Sequence, residues 1–336
     1  MANTQRLGRH RHAPPEKLGG PRRRHVKLAA IAGTGAVMAI LISFAVYSPW
    51  QSAGTEHSPA QRQDLRTASV SYIGLYARGV PRSYAPINAF TAATGIKPSP
   101  VVYYSGWLEP FQSAFAATAA SHGALPLVQI NPAGINLTAI ADGHYDDYLS
   151  AYAKAVHRHG RPVIISFGHE MNGYWYSWGY RHTSPAAFVA AWRHIVDVFR
   201  ALGARNVTWL WTINTVHKQT GVPAPNRWWP GSSYVNWVGI DGYYIKSSSV
   251  FASVFGPTIA AVRQLTHDPI LIAETSAIPS AGQQAKIADL FAGIHLYGLL
   301  GFVWFNTFSK VDFRLTSPAA ITAFRRGYET YHRSAS

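Results

Sequence analysis

The stretch 162–179 reads PVIISFGHEMNGYWYSWG and contains the strongest structural signal of the chain. Its first six residues form a short apolar run with branched side chains, which predicts a buried strand. The next twelve bring a carboxylate, an imidazole, an amide and several aromatic rings together where that strand ends. Because every buried polar group needs a partner, such a mixture is costly for structural reasons alone. It therefore indicates a functional site.

Seven further runs of the same kind occur along the chain, and helical stretches separate most of them. The predicted strands are 70–76, 100–104, 125–130, 162–167, 207–212, 237–241, 269–274 and 301–306. The predicted helices are 84–93, 110–121, 146–159, 184–202, 253–265, 280–296 and 317–331. Eight such units over about 264 residues predict an α/β fold, the (β/α)8 TIM barrel. A doubly wound open sheet is the alternative, and the regularity of the eight units favours closure.

The positive charge of the chain is concentrated at its amino terminus. Residues 1–27 hold eight lysines and arginines against one acid, Glu16, and so carry +7 of the formal charge of +15. The remaining +8 is spread thinly, with no basic run interleaved with aromatic residues. Nucleic-acid binding is therefore not expected.

The basic tail leads into an uncharged apolar run at 28–47, which is long enough to cross a bilayer core of roughly 30 Å. The basic residues before it predict a cytoplasmic amino terminus. A cleaved signal peptide is the rival, although its apolar region usually has only about 7–15 residues. We expect an uncleaved single-pass anchor in the cell membrane, a polar linker at 48–68, and an extracytoplasmic domain at 69–332.

Two glutamates follow predicted strands at the same end of the expected barrel. Active sites of this fold lie at the carboxyl ends of the strands. Glu170 follows the fourth strand and Glu274 ends the seventh. Retaining glycosidases use two carboxyls about 5–5.5 Å apart, one as nucleophile and one as acid and then base. Glu170 lies beside Trp175 and Trp178, whose apolar rings favour a raised pKa and the acid/base role. Glu274 suits the nucleophile.

Other side chains of this rim could hold a sugar by stacking or hydrogen bonding. The candidates for substrate binding are His169, Asn172, Trp175, Trp178, Tyr243, Trp304 and Trp107. Trp209 and Trp211 alternate along the fifth strand and are expected in the core. Trp228 and Trp229 lie in a proline-rich loop, where either a substrate platform or a loop staple is consistent with the pattern.

Metal and thiol chemistry are not expected. The chain has no cysteine, which excludes a disulfide framework, a cysteine-bound zinc ion and a thiol nucleophile. A zinc-protease helix starting at His169 would need a second histidine at position 173, where Gly173 stands. We therefore predict neither a metal nor a cofactor.

The pattern as a whole resembles glycoside hydrolase family 26, a (β/α)8 family of clan A whose best-known members are β-mannanases. The resemblance starts with HEMNG at 169–173, followed by Trp175 and Trp178, and covers most of residues 70–320. It continues through WPG at 229–231, VNWVGIDGY at 235–243, AET at 273–275, WFN at 304–306 and DFRL at 312–315.

The resemblance implies a role for several of these residues. Glu170 would be the acid/base and Glu274 the nucleophile. His169 and Tyr243 would hold the nucleophile, and Trp175 and Trp304 would wall the subsite of the cleaved sugar. The chain departs from the family pattern at two positions: Ser166 replaces a common arginine, and Phe313 replaces a usual tryptophan.

The expected function is a retaining endo-β-glycosidase of the mannan endo-1,4-β-mannosidase kind, acting as a monomer. β-Mannan is the first expected substrate, mixed-linkage β-glucan the second, and β-1,3-xylan is a further one for the family. A polysaccharide-binding protein without turnover is one alternative, and transglycosylation on the same fold is another.

Overall fold

The computed structural model describes residues 72–216, 222–280, 282–309 and 311–332. Within these residues eight parallel strands form a closed barrel in which each strand pairs with the next and the last pairs with the first. The strands are β1 (Tyr72–Pro81), β2 (Val101–Gly106), β3 (Pro126–Asn131), β4 (Val163–Phe167), β5 (Val207–Asn214), β6 (Trp237–Asp241), β7 (Ile270–Thr275) and β8 (Gly301–Asn306).

Helices cover the outside of the barrel and follow the strands in sequence. They are α1 (Ala85–Thr94), α2 (Ser113–Ser121), α3 (Leu137–Ala141), α4 (Asp146–His159), α5 (Pro185–Ala201), α6 (Phe251–Val254), α7 (Gly256–Arg263), α8 (Gln283–Leu296) and α9 (Pro318–Tyr331). A 3-10 turn, Pro225–Trp228, lies between β5 and β6. Local chemistry fixes several ends: Ser184 and Ser317 each accept a backbone N–H at the start of a helix whose first residue is proline.

The barrel has two cores, because side chains of a strand alternate between its faces. One core fills the barrel itself with small and branched side chains from six strands: Val102, Leu127, Ile164, Leu210, Leu271, Ala273 and Val303. The larger core lies between the strands and the helices and contains most of the buried aromatic rings.

Strand β7 breaks this alternation with a bulge. It has one residue more than β6 between the pairs Gly239 with Leu271 and Asp241 with Glu274, and the same irregularity faces β8. Leu271 and Ala273 both lie in the inner core, so strict alternation would point Glu274 toward the helices. The extra residue reverses the order, as bulges do. Glu274 consequently faces the inside of the barrel.

The predicted fold class is confirmed, and the open sheet is excluded by the pairing of β1 with β8. The predicted helix 253–265 is two helices, because Gly256 and Pro257 interrupt it after Phe255. The short helix α3 was not predicted. The tail, the apolar segment 28–47 and the linker lie outside the described residues. Among the helices that are described, none has the length and apolar character needed to span a membrane.

Candidate active site

The loop after β4 holds Glu170 in an unusual backbone conformation. Glu170 has φ +54°, in the left-handed region that side chains other than glycine rarely adopt. Its N–H donates to the carbonyl of Thr212 on β5 at 2.9 Å. The indole N–H of Trp178 donates to the neighbouring carbonyl of His169 at 2.9 Å. These bonds fix the backbone of the loop, and such strain is commonly found at functional sites.

Two N–H donors bind the carboxyl group of Glu170. The indole nitrogen of Trp175 lies 2.6 Å from one oxygen, and the side-chain amide of Asn214 donates to the other. Asn172, which is fully buried, exchanges two hydrogen bonds of 2.9 Å with the backbone of Asn214. Gly173 leaves room for the Trp175 ring, since a Cβ atom there would lie 2.3 Å from it. The loop and the end of β5 thus position the acid group together.

Two phenol groups bind the carboxyl group of Glu274. The hydroxyl of Tyr243, which follows β6, donates to one oxygen at 2.6 Å, and the hydroxyl of Tyr104 on β2 donates to the other. Phe313 packs behind the Tyr243 ring with centroids 5.1 Å apart. The aromatic ring that replaces the usual tryptophan at position 313 therefore still supports this tyrosine.

Burial and mutual repulsion separate the proton affinities of the two carboxyls. Burial, and then the charge of Glu274, raise the pKa of Glu170 to about 8, although the donors Asn214 and Trp175 favour its charged form. Burial also raises the pKa of Glu274, while the hydroxyls of Tyr104 and Tyr243 lower it. Glu170 is consequently protonated at neutral pH, and the negative charge of the pair resides on Glu274.

A third carboxyl, Asp241, is completely buried beside this pair. It is paired with Glu274 in the sheet register, and neither of its oxygens has a hydrogen-bond partner among the described residues. Burial first, and then the charges of Glu274 and Glu170, raise its pKa well above the ordinary value. Ser166, at the position of the family's arginine, bonds to the Thr212 hydroxyl at 3.0 Å. Because a buried carboxyl without a hydrogen-bond partner is costly to ionise, Asp241 is favoured in its neutral form.

Two predicted substrate-binding residues, His169 and Trp178, pack against Tyr176 within the loop itself. His169 is buried and lies 3.2 Å from the hydroxyl of Tyr176, and no hydrogen bond joins it to Glu274. Burial lowers its pKa to about 3, so its ring is neutral. Trp178 is buried and stacks on Tyr176 with ring centroids 4.3 Å apart. Trp175 differs from both, because 43% of its surface is exposed at the mouth.

Two other predicted residues lie away from the carboxyl pair. Trp304 is buried and packs against Phe324 of α9, in the layer between barrel and helices. The alternation of β8 turns the next residue inward, and a contact of Trp304 with the cleaved sugar stays a prediction. The inward-facing residue is Phe305, and its ring centroid lies 5.9 Å from that of Tyr243. Trp107 packs against Tyr145 and Tyr148 at the start of α4 and against Phe167 of β4, which places it against the larger core between strands and helices.

The tryptophans of the fifth strand and of the following loop stabilise the fold. Trp209 and Trp211 are buried, which confirms the expected core position. Trp228 is also buried, and Trp229 packs on Trp211 with centroids 5.0 Å apart. The pair at 228–229 is therefore a loop staple.

Two residues of the site were absent from the predicted set. Tyr104 ends the second predicted strand, and Asn214 follows the fifth, so both stand where active-site residues of a barrel are expected. Their position was visible in the sequence, but their partners were not, because hydrogen bonds between strands depend on register. In the described part of the chain, no group of three histidine, aspartate or glutamate side chains could hold a metal ion.

The sequence comparisons agree with this geometry. Residues 138–284, which include both glutamates, match the model of glycosyl hydrolase family 26. Endoglucanase H of Acetivibrio thermocellus is 29% identical over 264 residues, covering 74% of this chain and 29% of that protein. Beta-1,3-xylanase TXYA of a Vibrio species is 24% identical, covering 61% of this chain and 44% of that protein. The chain thus spans less than half the length of these curated relatives.

Solved structures show the same fold. Mannanase BCman of Bacillus subtilis superposes with a TM-score of 0.57 at 18% identity, covering 81% of this chain and 88% of the other. A modular endo-beta-1,4-mannanase from Cellulomonas fimi gives a TM-score of 0.60 at 15% identity, covering 79% and 72%. At such identities the likeness concerns the fold alone. With the family match, it confirms the predicted resemblance to glycoside hydrolase family 26.

Proposed function

We propose that this chain is a retaining endo-β-glycosidase that hydrolyses a β-linked polysaccharide by double displacement. Two buried carboxyls at one barrel mouth, with different proton affinities, support this function most directly. The match to glycosyl hydrolase family 26 and the mannanase-like fold support a glycoside hydrolase that acts on a β-linked polysaccharide.

In the first step, ionised Glu274 attacks the anomeric carbon while protonated Glu170 gives its proton to the departing glycosidic oxygen. The bond from carbon to that oxygen breaks, and an ester to Glu274 forms. Glu170 is then ionised, and its two N–H donors, Trp175 and Asn214, stabilise that state. In the second step, Glu170 removes a proton from water, which attacks the anomeric carbon and releases Glu274.

The proton states required for the first step match the surroundings of each group. The pKa of Glu170, raised to about 8 by burial and by the charge of Glu274, keeps the acid loaded at neutral pH. The hydroxyls of Tyr104 and Tyr243 favour the charged form of Glu274. This is the division of labour that paired glycosidase carboxyls need.

β-Mannan is the first substrate we propose and mixed-linkage β-glucan the second. The solved structures cited above are mannanases, whereas the curated relatives carry the names endoglucanase and β-1,3-xylanase. A substrate panel should therefore contain β-mannan, mixed-linkage β-glucan and β-1,3-xylan.

The test incubates the full-length chain, purified in mild detergent, with each polysaccharide and reads the products by mass spectrometry. We expect internal cleavage of one polymer that is lost in both Glu170→Ala and Glu274→Ala. Proton NMR of the new reducing end, recorded before mutarotation, gives the configuration, and a retained β-anomer is expected. Full activity of Glu274→Ala, or an inverted product, would refute the proposal.

We also propose that residues 28–47 anchor the chain in the cell membrane, with the barrel outside. The basic residues before this uncharged segment support that orientation. The chain should sediment with membranes and be accessible to protease added to spheroplasts. Release of a shortened chain into the medium would indicate a cleaved signal peptide instead.

A further inference from the structure

A groove of about 380 Å³ lies between α1 and the loop that follows β8. The residues that line it include the apolar Pro86, Phe90 and Leu315 and two arginines, Arg78 and Arg314. Apolar walls with a few polar groups are the usual composition of a small-molecule site. The groove is separate from the hydrogen bonds that hold the two catalytic carboxyls.

The groove adjoins the proposed catalytic mouth through β1 and β8. The ring of Tyr76 on β1 stacks on Phe305 of β8, with centroids 4.9 Å apart. Its centroid also lies 5.0 Å from that of Tyr104, which donates a hydrogen bond to Glu274. Arg78 lies two residues beyond Tyr76, a distance of about 7 Å along a strand. Arg78 and Glu274 both act electrostatically on the Tyr76 hydroxyl. Burial raises the pKa of Tyr76, the charge of Arg78 lowers it, and the charge of Glu274 raises it.

The two arginines of the groove differ in their electrostatic state. Arg314 forms two hydrogen bonds with Asp312, of 2.9 and 2.8 Å, so its charge is balanced. Arg78 is exposed and donates to the backbone carbonyl of Phe308 at 2.8 Å. Across the described residues, no carboxylate lies within ion-pair distance of Arg78. Arg78 therefore lines the groove with a positive charge that no carboxylate of the described residues neutralises.

We propose that this groove binds a carboxylate substituent on the polysaccharide, with Arg78 as the recognising residue. The inference rests on the proposed function, because it places one part of the same glycan beside the catalytic mouth. A guanidinium group is planar and presents paired donors that match a carboxylate. The Phe308 carbonyl fixes one edge of the guanidinium group and leaves other donors for the ligand. The apolar walls suit the face of the sugar ring that carries the substituent.

Affinity electrophoresis tests the inference without relying on turnover. The full-length chain carrying Glu274→Ala is run through gels containing a neutral β-glycan, its carboxymethylated form or its sulfated form at equal concentration. We expect the carboxymethylated form to retard it about five- to tenfold more strongly than the neutral form, the size of effect that one partly exposed charge-assisted bond gives. The preference should weaken as salt rises.

Arg78→Gln in the same background should abolish the difference between carboxymethylated and neutral glycan. Arg158→Gln is the matched control, because it removes an exposed charge from the last turn of α4, at the opposite end of the barrel. It should keep the preference. Thermal unfolding of both variants verifies that each is folded.

An unchanged preference in Arg78→Gln would overturn the inference, as would equal or stronger retardation by the sulfated glycan. Loss of the preference in both arginine variants would also overturn it, because general charge would then be the cause. The proposed function fails separately: a wild-type chain that cleaves neither neutral nor carboxymethylated glycan refutes the enzyme, while the electrophoresis result still decides the role of Arg78.

Discussion

The two catalytic candidates are held in opposite ways. Glu170 lies on a loop with a left-handed backbone, and both of its donors are nitrogen groups. One donor, Trp175, is partly exposed. Glu274 lies within a strand, and both of its donors are phenol groups, one from β2 and one just after β6. A buried carboxyl on a loop, with one partly exposed donor, thus faces a buried carboxyl that three elements of the barrel wall enclose.

This difference corresponds to what each proposed role requires. An acid/base must exchange protons with substrate and water, so a donor that reaches solvent is an advantage. A nucleophile must approach one carbon atom along one line, and small displacements of such groups reduce rates strongly. The rigid strand environment of Glu274 meets that need. Four predictions test whether the contrast is functional, from the largest expected effect to the smallest.

The first prediction compares the two alanine variants on an aryl β-glycoside with an activated leaving group, built on the sugar found in the substrate panel. Glu274→Ala should lose about 10⁵–10⁶-fold in kcat, as nucleophile deletions do. Glu170→Ala should lose about 10²–10⁴-fold on polysaccharide, the usual contribution of an acid/base. On the activated substrate it should lose much less in the first step, because such a leaving group needs no proton.

Added azide distinguishes the variants by product. It should give a β-glycosyl azide with Glu170→Ala and an α-glycosyl azide with Glu274→Ala, both identified by NMR. The reverse pattern would exchange the two assignments.

The second prediction removes one phenol donor with Tyr243→Phe. The hydroxyl favours the charged form of Glu274, so its loss raises the pKa of that carboxyl. The acidic limb of kcat/KM should move upward by about 1–2 pH units, the equivalent of one hydrogen bond to a charged group. The alkaline limb, which belongs to Glu170, should stay in place. A shift confined to the alkaline limb would contradict the pairing of Tyr243 with Glu274.

The third prediction is the mirror case, Asn214→Ala. The amide favours the charged form of Glu170, and its loss raises the pKa of that group above about 8. The alkaline limb of kcat/KM should move upward by about half a unit to one unit, less than for Tyr243, because water at the mouth replaces part of the bond. Asn214→Asp is an instructive companion, since a negative charge there should enlarge the shift. An unchanged alkaline limb in both variants would exclude Asn214 as a partner of Glu170.

The fourth prediction concerns the stability of the folded chain. Burial raises the pKa of Glu170 in the folded state to about 8. The stability that the neutral carboxyl contributes is present below the ordinary pKa of glutamate and is lost as pH rises through about 8. Glu170→Gln should therefore match wild type in Tm at pH 4 and exceed it by about 2–6 °C at pH 9. Equal Tm values at pH 9 would show that ionisation of Glu170 does not destabilise the folded chain.

Strand composition allowed much of the barrel to be predicted. The sixth and eighth predicted strands have the observed bounds, because each apolar run meets a polar or glycine residue at its ends. Ser184 and Ser317, each followed by proline, marked two helix starts for the same local reason. Both glutamates were found because the carboxyl ends of barrel strands share one rim.

The direction of side chains at the site could not be predicted from the sequence. Trp304 and Phe305 are neighbours with similar chemistry, and only the strand register decides which one faces the mouth. Tyr104 and Asn214 were missed because their importance lies in contacts with residues 170 and 44 positions away from them, respectively. Register and long-range contacts arise from packing of the whole barrel, so local patterns carried no information about them.

The bulge in β7 has a consequence for how inactive descendants of such a chain would arise. Glu274 faces inward because the bulge accommodates one extra residue after Leu271, and its identity is a separate condition. A descendant in which β7 kept the same number of residues but paired in regular alternation would turn the carboxylate toward the helices. Every motif residue would remain in the gene. A lineage could therefore lose catalysis while keeping both glutamates, and a motif search would overlook the loss.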